Sequence, residues 1–423
     1  MSSFRKDIKF SLKAVVNKKK GKVLFAEVDS TFVDVLLSLL TFPLGYFAET
    51  FEMLPFGSLS TLHTGLANLD SVHFYLEGAK SILLHTMRVG SSGSSKFEYL
   101  VCPKKCKPYV RYQSHCYSKM EREVAKNQTR TVPCDDDGVF MKTPTTFLIT
   151  DDLRIMPNAD LMQFASVLGI TYMDETVRLL LVYSLEFMNP LSCMILDGKK
   201  ERNKGAEFTA NESSSNSKTM NLKLMVQKSN NKLLYAEAEE DFVEFLFSFL
   251  IIPLGGVESL LSGNTNVKTF DNLYKSAANC IHDKYFKNLD AKNRLLKPNI
   301  TQGFISENHI FSLAEDKLPV SYGDGSFRVG STNFPEWRGS YLKGPRSFKV
   351  TDDLTVTPFC IASILSSLHE KKVPLSDVKE VELQIGLKEC DILIFRHELL
   401  QGLSILKASL TSKCALTDAL LHK

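Results

Sequence analysis

Alternating apolar and polar residues predict that the chain opens with a β-hairpin. Apolar residues occupy every second position from Ile8 to Val16, which is the period of a half-buried strand. The lysine-rich stretch 17–21 is typical of a turn, and a second apolar strand follows over 23–28. The same order of patterns returns over 222–238, where another hairpin is predicted.

A helix is predicted after each hairpin. Asp29, Ser30 and Thr31 are N-cap candidates before a run of apolar residues at helical spacing. This helix is apolar nearly all round, so we expect it to be buried against the sheet. Pro43-Leu-Gly45 is predicted to end it, and Pro253-Leu-Gly255 to end its counterpart.

A second hairpin is predicted late in each half, with its turn at Asp151-Asp152 or at Asp352-Asp353. A helix and a final helical or strand segment are expected after each turn. Leucines at near-helical spacing predict a helix over Glu398–Leu421. The predicted fold class is therefore α+β, with each module containing an opening β-hairpin, a buried helix, a second β-hairpin and C-terminal helices.

These matching blocks form an internal repeat. Leu12–Gly45 and Leu222–Gly255 align without a gap, and nearly half of the aligned positions are identical. Chance similarity between amphipathic segments would not keep the polar, Pro and Gly positions in step, so duplication is the better explanation. We predict a first module over residues 7–196 and a second over 220–423. Residues 197–219 have almost no large apolar side chains and are predicted to be a flexible linker.

Composition adds limits rather than a function. In 423 residues, 44% are apolar and 23% are charged, which suits two globular cores, and the net charge of +3 is too mild to indicate a nucleic-acid or membrane-surface partner by itself. The apolar runs are shorter than the ~20 residues of a membrane span, so no transmembrane segment is predicted. Residues 1–10 lack the apolar core of a secretory signal, so cytoplasm or nucleus is expected. Peripheral membrane contact through Phe32–Phe56 stays open.

The assembled motifs resemble a plant family of uncharacterised proteins, known as domain of unknown function 674. They are the Leu12-Lys13 strand with its lysine-rich turn, the helix around Phe32-Val33 with its Pro-Leu-Gly end, the Thr-Asp-Asp-Leu blocks, and Leu406–Lys413 followed by Ala415-Leu-Thr417. The resemblance implies a plant protein of tandem modules without an established activity. It also implies a cysteine-bearing insert in the first module, which this chain carries at Tyr99–Met120.

The insert supplies the candidate metal ligands, which are Cys102, Cys106, Cys116 and Cys134. Zinc is commonly held by four soft or imidazole ligands arranged as two close pairs. Cys102 and Cys106 form an acceptable first pair, but Ser118 and Lys119 stand where a close partner of Cys116 is expected. Two interpretations stay open: a zinc site within residues 96–134, and a surface loop with unpaired thiols.

The same insert is locally basic and aromatic. Lysines and arginines outnumber acidic residues over 96–130, and four tyrosines are interleaved with them. Basic groups with stacking rings bind single-stranded nucleic acid, so a nucleic-acid site is one interpretation. The other is a solvated loop, which the mild overall charge favours.

The Asp-Asp turns are the only paired carboxylates that recur in both halves. They suit acid–base or metal chemistry, and they equally suit a turn in which Asp bonds its own backbone. No histidine or nucleophile accompanies them, so no catalytic residue is assigned. No small-molecule substrate can be inferred either, since the sequence contains no glycine-rich phosphate loop or nucleophile elbow.

These observations favour a non-enzymatic intracellular interaction protein in which two tethered modules bind a protein partner. A tether would raise the effective concentration of the second module once the first is bound. Two alternatives remain. One is an enzyme of unidentified class with a site near the Asp-Asp turns, and the other is a zinc-stabilised insert that binds nucleic acid.

Overall fold

The fold was analysed in a computed structural model of the chain. The structure describes residues 12–50, 57–75, 77–84, 140–142, 145–157, 183, 187–196, 218–298, 300–301, 306, 311, 315–316, 326–329, 332–335, 340–387 and 396–421. Within these ranges, helices and antiparallel sheets occur together, which confirms the predicted α+β class.

The first half contains a four-stranded antiparallel sheet. Its strands, in spatial order, are β1 (Leu12–Asn17), β2 (Lys22–Asp29), β3 (Thr146–Thr150) and β4 (Ile155–Pro157). The predicted opening hairpin is confirmed, since Leu12 pairs with Val28 and Ala14 with Ala26. These four residues are buried, because alternate positions of a strand face the same side of the sheet.

The second half contains a five-stranded antiparallel sheet and two small strand pairs. The strands are β5 (Lys218–Gln227), β6 (Leu233–Glu239), β7 (Ile300–Thr301), β8 (Glu315–Asp316), β9 (Ser326–Val329), β10 (Thr332–Pro335), β11 (Ser347–Val350), β12 (Val356–Pro358) and β13 (Val378–Leu387). The large sheet has the order β12-β11-β6-β5-β13. Lys218 and Thr219, assigned to the linker from sequence, pair with Leu387 and Gly386 in this sheet.

Helices follow the hairpins as expected. Those of the first half are α1 (Ser30–Ser38), α2 (Leu44–Thr50), α3 (Leu59–Asn68), α4 (Glu77–Leu84) and α5 (Pro190–Leu196). Those of the second half are α6 (Glu240–Ser248), α7 (Leu254–Leu260), α8 (Lys268–Lys275), α9 (Leu289–Leu296), α10 (Ile361–Glu370), α11 (Arg396–Thr411) and α12 (Ala415–Leu420). The described helices include none long and apolar enough to cross a membrane.

The first helix of each half is buried nearly all round, as its sequence predicts. Asp29 caps α1, because its Oδ1 accepts a hydrogen bond of 2.9 Å from the Phe32 amide. The large apolar side chains described between residues 32 and 47 are buried, apart from the partly buried Tyr46, which removes the basis for membrane contact there.

Two predicted helices differ in detail from the structure. Helix α1 ends at Ser38 and continues as a 3-10 turn to Thr41, so Pro43-Leu-Gly45 follows the end of the helical run and also leads into α2. Proline suits this place because a missing amide costs nothing at the start of a helix. The predicted C-terminal helix is two helices, α11 and α12, separated at Ser412, whose hydroxyl oxygen accepts from the Cys414 amide at 2.9 Å.

The two halves meet directly at their Pro-Leu-Gly segments. Pro43 and Pro253 form an antiparallel bridge. The Leu44 amide donates to the Ile252 carbonyl at 2.9 Å, and the Leu254 amide donates to the Phe42 carbonyl at 2.9 Å. Buried side chains of both halves belong to one continuous hydrophobic core. The division into modules at 7–196 and 220–423 stays a prediction, but the two ranges are in close contact.

Candidate functional site

The first aspartate of each Asp-Asp turn binds the first turn of a helix far along the chain. Asp151 accepts hydrogen bonds from the Ser192 amide, at 2.6 Å, and from the Ser192 hydroxyl. Asp352 accepts from the Thr417 amide and hydroxyl, both at 2.8 Å. Ser192 lies in the first turn of α5 and Thr417 in that of α12, where a negative charge is favourable.

The second aspartate of each turn bonds the threonine just before the pair, and Asp152 also forms ion pairs of 3.5 Å with Arg154 and with Lys268 of α8. Asp152 accepts from the Thr150 hydroxyl at 2.7 Å, and Asp353 accepts from the Thr351 hydroxyl at 2.5 Å. The leucine that follows has a positive φ in both turns, 59° in one and 62° in the other. A left-handed leucine is rare and needs support from its surroundings. These contacts therefore favour the structural-turn interpretation of the pairs.

Asp151 is the carboxylate on which the enzyme alternative depends most. Burial raises the pKa of Asp151, while hydrogen bonds from Ser192 lower it in part. A raised carboxyl pKa is a feature of acid–base sites. Both Asp151 oxygens nevertheless accept from Ser192, whose hydroxyl oxygen also accepts from the Val23 amide at 2.7 Å. A catalytic role for Asp151 would have to break the bonds that join α5 to the sheet.

Two further carboxylates, which the sequence analysis did not single out, are fully buried in the first helix of each half. Asp34 and Glu244 are both 0% exposed. Asp34 Oδ1 accepts from the Phe140 and Met141 amides, each at 2.8 Å. Glu244 accepts from the Leu342 amide at 2.6 Å and from the Ser306 hydroxyl. Each carboxylate thus holds a chain segment onto its helix. In the sequence, each of these carboxylates could have been recognised as an acidic residue inside a helix that is otherwise apolar.

A third polar cluster joins α7 to α8 and was also missed. Glu258 is 0% exposed, and its Oε1 accepts a hydrogen bond of 3.2 Å from the Thr265 hydroxyl. The Thr265 hydroxyl and amide also donate to Asp271 Oδ1 at 2.7 and 2.8 Å. Thr265 therefore lies between the carboxyl groups of Glu258 and Asp271. The sequence hint was Glu258 itself, which stands among apolar residues and glycines in Leu254–Leu260.

The surroundings of Glu258 favour its protonated form. Burial raises the pKa of Glu258 well above its usual range, and the charge of Asp271 raises it further, whereas Thr265 and Lys275 lower it. Burial also raises the pKa of Asp271, but hydrogen bonds from Thr265 and from Glu258 lower it. The neighbouring Lys407 has a pKa lowered by burial and raised by Asp271. The cluster therefore combines a buried carboxyl group that favours its protonated form with a second carboxyl group and nearby lysines.

Stability should fall as the pH rises through the titration of Glu258. The folded protein keeps a proton that the unfolded chain releases above about pH 4.5, so the stabilisation is complete below that value and is lost as pH rises through the raised folded pKa. Glu258→Gln has nearly the same size and cannot ionise. We expect this variant to match the natural protein near pH 4.5 and to exceed its stability at neutral and higher pH, measured by urea unfolding.

The matched control is Glu370→Gln, which removes the same charge from an exposed position on α10. Its pH profile should run parallel to that of the natural protein. Parallel profiles for Glu258→Gln as well would contradict the assignment of the buried proton to Glu258.

The cysteines predicted to bind zinc, Cys102, Cys106, Cys116 and Cys134, lie outside the described residues. So does the basic insert around them, residues 96–134, and both ideas stay predictions. Among the residues that the structure does describe, no group of three or more His, Cys, Asp or Glu side chains is placed to hold a metal ion.

One helix of the second half shows an apolar face to solvent. On α10, Ile364 and Leu368 are buried against Leu234 and Tyr235 of β6. Beside this buried stripe, Ile361 is 68% exposed and Leu365 is 48% exposed. These two side chains, four residues apart, lie on the same face of the helix. Leu375, in the 3-10 turn after α10, is 67% exposed as well.

The fold and these carboxylate clusters define an α+β protein whose two halves use equivalent aspartates to attach helices to sheets. Residues 6–388 match the family described as protein of unknown function (DUF674). The chain belongs to that family, as its motifs suggested. Comparisons with curated proteins and with solved structures found no match. The plant origin that the resemblance implies stays a prediction.

Proposed function

We propose that this protein is a non-enzymatic interaction protein of the cytoplasm or nucleus, and that the exposed face of α10 binds a protein partner. The observation that carries the proposal is the pair Ile361 and Leu365 on the solvent side of that helix. A surface helix typically carries charged or polar residues on its outer face. Exposed clusters of large apolar side chains are characteristic of binding surfaces.

The composition of α10 supports the same proposal. Its ten residues, IASILSSLHE, include one residue charged at neutral pH, Glu370, at the C-terminal end. Interface centres are depleted in charge, since each desolvated charge costs free energy unless it finds a partner. Covering apolar surface contributes about 25 cal/mol per Å². The partner is therefore a protein segment with apolar side chains of its own.

In this proposal the two halves act together rather than as modules on a free tether. Their shared core and the bridge between Pro43 and Pro253 hold them in one arrangement. The α10 surface then has a constant position relative to the first half. An avidity gain from independent modules is not required.

One observation supports the enzyme alternative and one opposes it. The raised pKa of Asp151 supports it, and the use of both Asp151 oxygens as acceptors for Ser192 opposes it. The alternative of a zinc-stabilised, nucleic-acid-binding insert involves residues outside the described ranges and is left as a prediction from sequence.

Photo-crosslinking from α10 tests the proposal. A photoreactive side chain at Ile361 should give a discrete adduct in native extracts, and the substitutions Ile361→Asp and Leu365→Asp together should weaken binding of the captured protein about tenfold or more. Circular dichroism should be unchanged, because both side chains are largely exposed.

Leu289, which is 61% exposed on α9, is the matched control position. A photoreactive group there should not give the same adduct, and Leu289→Asp should leave binding intact. The proposal fails if both positions capture the same proteins, or if the α10 double variant binds as well as the natural protein.

A further inference from the structure

Helices of each half pack against elements of the other half. In the first direction, α3 packs on α6 and on β12 of the second half. Leu62 and Leu66 of α3 are both 0% exposed. In the other direction, α8 packs on α1, and α9 packs on the 3-10 turn that follows α1. Large apolar side chains of α8 and α9, such as Leu273 and Leu295, are 0% exposed.

Backbone hydrogen bonds also join the two halves. Phe74 forms an antiparallel bridge with Leu342, and the Tyr75 amide donates to the Tyr341 carbonyl at 3.0 Å. The reciprocal bridge joins Met141 to Phe286, and the Lys142 amide donates to the Tyr285 carbonyl at 2.8 Å. The first bridge uses the segment that Glu244 holds, and the second uses the segment that Asp34 holds.

The Asp-Asp turns also form hydrogen bonds between the halves. The Asp353 carbonyl accepts from the Thr61 hydroxyl of α3, and the Asp152 carbonyl accepts from Asn272 Nδ2 of α8 at 2.8 Å. The Ser276 hydroxyl oxygen accepts from the Ile155 amide at 2.9 Å. Each turn therefore anchors a helix of its own half through its first aspartate, and a helix of the opposite half through its second.

We infer that the two halves of this chain are obligate partners, each of which completes the folded core of the other. The surface of either half fits the complementary half, and it is of the apolar, hydrogen-bonded kind found in permanent complexes. Separation of the halves would expose Leu62, Leu66 and Leu273 to water. It would also leave the Tyr75 and Lys142 amides without their carbonyl acceptors. The covalent connection between residues 196 and 218 is then not what holds the halves together.

Cutting the connection in the folded full-length protein tests this inference. A specific protease site would be inserted between Asn211 and Glu212, within the linker predicted from sequence, and the folded protein would be cut there. The two fragments should remain a 1:1 complex in size-exclusion chromatography and native mass spectrometry. After cleavage, the urea midpoint should rise with protein concentration, because association of the fragments now contributes to stability; the midpoint of the uncut chain should not.

A glycine at the interface gives a sharper version of the test. A Cβ at Gly65 of α3 would lie 3.0 Å from the Val356 amide nitrogen of the opposite half. Gly65→Val should raise the dissociation constant of the cut fragments about tenfold or more. Thr61→Val, which removes only the hydroxyl bonded to Asp353, is the milder variant if Gly65→Val fails to fold.

The control is Gly21→Asn, in the β1–β2 turn, where a Cβ would meet nothing within 4 Å. Asparagine tolerates the positive φ of 57° at that position. This variant should leave the dissociation constant unchanged. Fragments that separate after cleavage while each keeps its secondary structure would overturn the inference. So would fragments whose dissociation responds equally to the Gly65 or Thr61 variants and to the control.

Discussion

Asp34→Ala should destabilise the protein by about 3 kcal/mol or more. The substitution leaves the Phe140 and Met141 amides without their acceptor in a region where Asp34 is 0% exposed. A buried donor that loses its acceptor pays its full desolvation cost, and a bond to a charged acceptor is stronger than a neutral one. The free energy of unfolding would be measured with urea and far-ultraviolet circular dichroism.

Asp34→Asn is the matched control, because it keeps an oxygen at the position of Oδ1 and removes only the charge. It should cost clearly less than Asp34→Ala. The same ranking is expected for Glu244→Gln and Glu244→Ala in the second half, where the acceptor serves Leu342 and Ser306. Equal losses for the amide and alanine variants would contradict a role as hydrogen-bond acceptor.

Gly255→Ala should destabilise the protein by about 2 kcal/mol. A Cβ at Gly255 would lie 2.1 Å from the Leu295 carbonyl oxygen and 3.0 Å from the Leu40 carbonyl oxygen. Both are backbone atoms, which cannot move aside as a flexible side chain can. Helix α7, α9 and the turn after α1 would have to separate there. Urea unfolding measures the loss directly.

The sign of the Gly255→Ala effect decides between two explanations of this glycine. Alanine is favoured over glycine inside a helix by roughly 1 kcal/mol, so helix propensity alone predicts a more stable variant. A stabilised Gly255→Ala protein would show that the close approach to Leu295 and Leu40 is relaxed in solution. A destabilised one would establish that the glycine is required by the close packing of α7 against α9 and the turn after α1.

Short-range structure was predictable because its causes are local. The hairpins were recognisable from alternating apolar and polar residues and from turn residues. The Asp29 carboxylate lies three residues from the Phe32 amide, from which it accepts a hydrogen bond. The Pro-Leu-Gly segment was predicted only as a helix end. Proline marks a break in a helical pattern, but the same residue also begins helices, and Pro43 does both here.

The Asp-Asp turns contain both hydrogen bonds that the local sequence predicts and hydrogen bonds that it does not predict. The bond between Asp152 and Thr150 spans two residues and follows from turn chemistry. The bond between Asp151 and Ser192 spans 41 residues, and that between Asp352 and Thr417 spans 65. The sequence around residues 151 and 352 does not indicate those partners. A carboxylate can accept hydrogen bonds from the first turn of any helix that the fold brings close to it.

The buried carboxylates were within reach of sequence reasoning in part. An acidic residue in a helix that is apolar on all sides, as at Asp34 and Glu244, indicates a buried acceptor because an unpaired buried charge is too costly. The amides that it serves lie about a hundred residues away along the chain. Glu258 offered the same hint, but its proton depends on Asp271, Thr265 and the degree of burial together.

The sequence by itself determined the α+β class, the opening hairpins, the buried first helices and the family, since strand alternation, helical spacing and turn residues act over short distances. Only the tertiary structure decided which half each helix packs against. The apolar faces of α3 and α8 would be buried equally well on their own half or on the other, so their patterns do not distinguish the two arrangements. The choice is made by contacts between distant residues, such as Thr61 with Asp353 and Asn272 with Asp152.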